Sequence, residues 1–187
     1  MNAIIIILAT IGSLVALFFI VGLFLKKEFE VKGEVVIDKP RKEVFDYVKL
    51  LKNQDHYNQW VMADPDMKKE FKGTDGTVGF VYGWDGNKKV GTGEQIIKAI
   101  SEDERIDAEL RFIKPFESVC GATMITTFVS ESKTRVRWSM TGSVPYPRNI
   151  MNPIINRMLT KSLNESLALL KGKLETVPSA ELVAVSE

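Results

Sequence analysis

A single histidine, His56, and a single cysteine, Cys120, are the side chains of this 187-residue chain best suited by type to proton transfer or nucleophilic attack near neutral pH. His56 closes the polar run Asn53-Gln54-Asp55-His56, which suits a solvated side chain. Cys120 opens a predicted strand among small and apolar residues, which suits a buried, inert thiol. Tyr82, Glu94 and Glu117 complete the candidates for moving protons, but no dyad of perturbed groups can be read from their positions. Asp64 and Asp66 flank Pro65 without further oxygen or nitrogen ligands at matched spacing, so a turn is expected there and no metal. The run from Gly73 to Gly79 has the glycines of a phosphate loop, yet it lacks the Gly-Lys-Ser/Thr ending and precedes a strand, so it reads as a hairpin turn. No catalytic residue and no cofactor follow from these groups.

The elements around them are more informative. Phe29, Val31, Gly33, Val35 and Ile37 alternate with charged residues, giving a strand with one wet face. Val44, Phe45, Val48 and Leu51 fall at helical spacing, and a second short helix or turn covers Asn53 to Trp60. Strands are then predicted over Met67–Phe71, Val78–Trp84, Val90–Ile100, Ile106–Phe112, Val119–Val129 and Arg135–Ser143, with Asp85-Gly86-Asn87 as a strong hairpin signal. Arg135 and Arg137 alternate with Val136 and Trp138, so they should point outward. Last comes a long helix, Asn152 to Val177, with Asn152 as its N-cap and Pro153 in its first turn. Its apolar residues Ile155, Met158, Leu159, Leu163, Leu167, Leu170 and Leu174 form one stripe along about 40 Å. Antiparallel strands with helices to one side make an α+β plan in which that helix covers the dry face of the sheet.

Ala3 to Leu25 carries no charged side chain and is long enough to cross a bilayer as a transmembrane helix. A cleavable signal peptide would place basic residues before the apolar run and a small-residue cleavage site after it. Here Lys26-Lys27 follows, and Lys26 to Lys42 holds six basic residues against four acidic ones. The expectation is a retained single-pass anchor in the cell membrane with the globular part on the cytoplasmic side. The lone cysteine fits that compartment. With 25 basic and 24 acidic residues the chain has no basic excess, which argues against a nucleic-acid surface. Three segments result: 1–28, anchor and basic exit; 29–177, one globular domain; 178–187, a disordered tail. Nothing in the residues fixes an oligomeric state.

Several blocks occur in one order: Trp60 with Asp64-Pro65-Asp66-Met67, Val78-Gly79, Tyr82 to Asn87, Val90 to Gly93, Phe112 to Glu117 and Thr134 to Gly142. Together they resemble the polyketide cyclase/dehydrase-like branch of the SRPBCC, or START-like, superfamily over about residues 29 to 175. The resemblance implies a helix-grip fold, in which a curved seven-stranded antiparallel sheet wraps a long C-terminal helix around a hydrophobic cavity. It also implies binding of lipids, sterols, polyketides or other apolar molecules, with catalysis in some members.

The wall of such a cavity is expected from Phe80, Tyr82 and Trp84, from Leu110 and Phe112, from Met124, and from Trp138 and Met140. Met151, Ile155, Met158 and Leu159 would face them from the first half of the helix, while the leucines of its second half clamp the sheet. Methionines adapt to varied shapes and aromatics give area with a polar handle; the same residues could instead pack on one another. Trp60 and Tyr57 either close the mouth as a lid or staple their segment to the core. The expected activity is membrane-anchored binding or transfer of a hydrophobic small molecule without covalent chemistry. A cyclase or aromatase, and a membrane interaction module without ligand, are the alternatives.

Overall fold

The computed structural model describes residues 2–176, so the predicted tail and Val177 lie outside the described residues. The chain begins with α1 (Asn2–Phe24), the one described helix long and apolar enough to cross a membrane. Its Thr10 hydroxyl donates to the Ile6 carbonyl at 2.8 Å, so a polar side chain in the apolar run is satisfied within the helix.

β1 (Glu28–Ile37) follows and alternates exposed acids and lysines with buried Phe29, Val31 and Ile37. Next come α2 (Arg41–Lys49), a 3-10 turn (Leu51–His56) and the single-turn α3 (Gln59–Met62). Then β2 (Lys68–Lys72), β3 (Val81–Asp85), β4 (Thr92–Ser101), β5 (Arg105–Lys114), β6 (Ser118–Ser130) and β7 (Lys133–Ser143) run by hairpins. They form one antiparallel sheet in the order β1-β7-β6-β5-β4-β3-β2. The two chain-terminal strands are therefore neighbours, with Glu34 opposite Arg137. Glu34 pairs with Arg137 at 2.8 Å and with Arg135 at 3.1 Å on the wet face.

The run from Gly73 to Gly79 forms a turn, as its sequence suggests, and Asp75 gives it a further role. Its carboxylate accepts from the Leu51 and Lys52 amides at 2.8 and 3.0 Å, capping donors that the start of the 3-10 turn leaves open. Asp64 likewise accepts from the Asn87 amide at 2.6 Å and braces the β3–β4 loop. Among the described residues no cluster of acids, histidine or cysteine could hold a metal.

α4 (Asn152–Thr176) lies across the inner face of the sheet. Leu163, Leu167, Leu170 and Leu174 are fully or almost fully buried, each contributing about 1.5–3 kcal/mol by leaving water. The helix comes so close to β1 that a Cβ on Gly33 would sit 2.7 Å from Asn164 Oδ1 and 3.0 Å from Leu167 Cδ1. One expectation fails at its start. Asn152 is not an N-cap: a 3-10 turn, Arg148–Met151, leads directly in, and Asn152 already has helical φ −52° and ψ −42°. Its amide donates instead to the carbonyls of Lys26 and Lys27, at 2.9 and 3.2 Å.

Candidate functional site: a cavity between sheet and α4

Between the inner face of β3–β5 and β7, the α3 segment and the first turns of α4 lies a cavity of about 280 Å³. β3 and β5 deliver side chains at every second position, so Tyr82 and Trp84, then Leu110 and Phe112, reach the same side of the sheet. Trp84 and Phe112 meet edge to face, ring centroids 5.7 Å apart. Gly93, opposite Trp84 on β4, leaves the room: a Cβ there would come within 2.6 Å of the indole and 2.5 Å of the Arg111 carbonyl oxygen. Met140 enters from β7, Met158 and Leu159 from α4, and Trp60 from α3.

Eight of the thirteen residues expected at the wall are therefore there: Trp60, Tyr82, Trp84, Leu110, Phe112, Met140, Met158 and Leu159. Five are not. Phe80 precedes β3 and is 1 % exposed, stacked on Phe71 at 6.3 Å in the packed core. Met124 and Trp138 line a separate void of about 20 Å³, of the order of one water molecule. Trp138 supports the wall from behind, edge to face with both Trp60 and Tyr57. Met151 belongs to the 3-10 turn and is exposed, and Ile155 is half-buried away from the cavity. A helical stripe spaced at three and four residues is wider than the cavity, so only its Met158–Leu159 portion fits over it.

Tyr57 and Trp60 divide the two roles offered to both. Tyr57 is fully buried in the core and staples its segment; Trp60 faces the cavity. The Tyr57 hydroxyl has no hydrogen-bond partner among the described residues, and burial pushes its ionisation far up.

The wall also holds polar groups not singled out in the sequence. Gln54, Asn58 and Gln95 line it, each nearly buried. Asn58 Nδ2 donates to Gln54 Oε1 at 2.8 Å, and Asn58 Oδ1 caps α3 by accepting from the Trp60 amide at 3.0 Å. The Gln95 side chain, 8 % exposed, has no hydrogen bond to another described residue. Its signal was present in the sequence: Gln95 is the polar member of the inward series Gly93, Gln95, Ile97 on β4. Lys89 and Val90 from the β3–β4 loop, Lys114 at the end of β5 and Pro115 from the β5–β6 loop complete the outer end.

Of the four proton-transfer candidates, Tyr82 alone lines the cavity. Its hydroxyl donates to Asp55 Oδ1 at 2.5 Å, and Asp55 Oδ2 pairs with Lys69 Nζ at 2.6 Å. Burial first, then the Asp55 contact, push Tyr82 far above its ordinary 10.0, so it stays a neutral donor. Glu94 pairs with Arg111 on the outer face, and Glu117 is exposed in the β5–β6 loop. His56 is exposed, its Nδ1 3.2 Å from the Tyr47 hydroxyl. Cys120 is buried, and burial raises its thiol pKa, as befits an inert side chain.

No family model matches the chain, and no curated protein matches it in sequence. Solved structures do. Norcoclaurine synthase from Thalictrum flavum, in complex with dopamine and hydroxybenzaldehyde, aligns with a TM-score of 0.61 at 12% identity, covering 85% of this chain and 94% of that one. Protein MLL2253 from Mesorhizobium loti aligns with a TM-score of 0.60 at 14% identity, covering 80% and 99%. Ara h 8.0201 gives a TM-score of 0.50 at 12% identity, covering 76% and 98%. At these identities the likeness is one of architecture: the chain has the helix-grip fold, a seven-stranded antiparallel sheet gripping a long C-terminal helix, with an apolar helix added at its N-terminus.

Proposed function

We propose that the protein binds or transfers an apolar small molecule, a lipid, isoprenoid or polyketide-like compound, in the cavity under α4, while α1 holds it in the cell membrane with the domain on the cytoplasmic side. The observation that carries this reading is the wall itself: aromatic and methionine side chains around about 280 Å³, with the unpaired Gln95 amide set among them. Such a mixture suits a ligand with an apolar body and one uncharged hydrogen-bonding group. The volume lies at the lower end for small-molecule sites, so it suits a single chain or ring system better than a whole diacyl lipid. A structural neighbour was solved in complex with dopamine and hydroxybenzaldehyde, which supports a small-molecule site in this architecture. α1 adds proximity, since a tethered cavity meets membrane-dissolved ligands at high effective concentration.

Native mass spectrometry of the full chain released from nanodiscs, with organic extraction of the same preparation, tests this. A stoichiometric apolar compound is the expected result. A protein that stays empty and binds nothing from a panel of single-chain lipids and isoprenoids overturns it.

A further inference from the structure

The outer end of the cavity opens on a surface that is apolar where a water-facing surface is ordinarily polar. Phe116, in the β5–β6 loop next to the cavity-lining Pro115, is 67 % exposed; on α4, Ile154 is 63 % and Met158 56 % exposed. Scattered exposed apolar residues are ordinary, but these are joined. Ile154 and Met158 stand one helical turn apart on one face, and Met158 itself lines the cavity. The Arg148 guanidinium lies 5.5 Å from the Phe116 ring centroid, bringing the β5–β6 loop against the turn that leads into α4. Exposed apolar side chains gathered at one end in this way are the kind of feature that marks an interaction surface.

Topology places the end of α1 at the same corner. The register pairs Glu28 with Ser143, Cys120 with Gly142, and Phe112 with Ser118. The start of β1, the β5–β6 loop and the β3–β4 loop therefore share one end of the sheet. Asn149, fully buried, donates to the carbonyls of Gly22 and Leu25 at 2.7 and 2.8 Å. Together with Asn152 on Lys26 and Lys27, it satisfies carbonyls that the end of a helix leaves open. Tyr146 packs on Phe19 and against Gly22. The apolar helix and the cavity mouth are thus joined by a buried contact rather than by a free linker.

Charge favours the mouth end. Exposed Lys26, Lys27, Lys89, Lys114, Arg148 and Arg157 outnumber the exposed acids Glu28, Asp85 and Glu117 there, whereas at the opposite end Glu102, Glu104 and Glu131 stand beside Arg105 and Lys133. Basic side chains around an apolar patch at a membrane exit complement anionic headgroups.

We propose that this rim is a bilayer-docking surface. With α1 crossing the membrane, Phe116, Ile154 and Met158 sit at the boundary of headgroups and acyl chains, the basic side chains rest on anionic lipid, and the cavity opens into the bilayer instead of into water. The proposal depends on the anchoring role of α1 given above, but not on what the cavity holds.

Depth-dependent quenching on the full chain tests it. Single cysteines are placed by Phe116→Cys, Ile154→Cys and Met158→Cys, with Glu131→Cys as the control, all in a Cys120→Ala background. They are labelled with an environment-sensitive fluorophore and reconstituted into phosphatidylcholine vesicles with or without phosphatidylglycerol. Lipids spin-labelled near the headgroup are expected to quench the three rim positions and leave the control, about 40 Å away along β6, unquenched. Phosphatidylglycerol should increase the loss. Rim labels quenched no more than the Glu131→Cys label overturn the proposal. Labels shielded from aqueous iodide yet untouched by lipid quenchers overturn it too, pointing to a second copy of the chain on the patch. Organic extraction of the same vesicles reports cavity occupancy separately, so failure of docking is distinguishable from failure of ligand binding.

Discussion

The Tyr82 hydroxyl and the Asp55 carboxylate meet at 2.5 Å, tying β3 to the 3-10 turn beside the cavity. Tyr82→Phe leaves Asp55 with Lys69 alone. It is expected to cost about 1.5–3 kcal/mol, as for a hydrogen bond to a charged group, read as a lower urea midpoint with unchanged slope. Asp55→Asn should cost a similar amount and the double variant less than the sum. Ligand occupancy should survive Tyr82→Phe. Lost turnover with retained binding would instead favour a cyclase-like enzyme.

Gly93 faces Trp84 so closely that any side chain displaces the indole. Gly93→Ala should lower stability by about 1–3 kcal/mol, the usual range for overpacking, and drive Trp84 into the cavity. A shifted tryptophan emission maximum and reduced ligand occupancy are the readouts; unchanged occupancy would show that the Trp84 end of the wall is not used.

Gln95 places an unpaired amide in a nearly buried position. The amide faces the cavity, where water can reach it, so Gln95→Leu is expected to change stability by less than about 1 kcal/mol. Affinity for a ligand with a hydroxyl or carbonyl group should fall, while a hydrocarbon of equal size binds as before. A fall in affinity at nearly unchanged stability is what a site residue produces; a loss in both would make Gln95 structural.

Burial holds Tyr47 up at about 12 against an ordinary 10.0 and pushes Tyr57 and Tyr82 further in the same direction. A phenol whose folded pKa is raised contributes stability that is complete below pH about 10 and disappears as the pH climbs through the folded value. Stability is therefore expected to decline from about pH 10 upward, with tyrosinate absorbance rising together with loss of near-ultraviolet circular dichroism. Ionisation of these tyrosines near pH 10 with the fold intact would contradict their burial.

Asn149 closes the last turn of α1 through two carbonyls. Asn149→Ala leaves them unpaired, which costs about 1–3 kcal/mol borne by the junction alone. Trypsin should then cut faster after Lys26 and Lys27 in detergent micelles, while thermal unfolding of the sheet stays nearly unchanged.

Most of this architecture is legible in residue order. Alternation along β1, β5 and β7 locates the dry face because a strand has a period of two, and Leu163 to Leu174 announce the buried half of α4. What cannot be read locally is how far the inner face is filled. Phe80, Met124 and Trp138 have the pattern of Tyr82 and Trp84 yet fall where the sheet and helices close on each other. Asn152 misleads for a related reason. A cap and a cross-domain clamp use the same short amide, and its actual partners, the Lys26 and Lys27 carbonyls, are distant in sequence and carry no side-chain signature.

The pairing of β1 with β7 sets a constraint on how the chain comes to be built. Glu28 finds Ser143 and Ile37 finds Thr134, so the first strand synthesised is completed by the last. Contacts of such sequence separation form slowly, because a long loop must close before they give any return. Until β7 arrives, Phe29, Val31 and Ile37 have no strand beside them and the edge of β1 is open to other chains. With α1 in the membrane as proposed, the nascent chain would spend that interval tethered, with its earliest strand waiting for its latest.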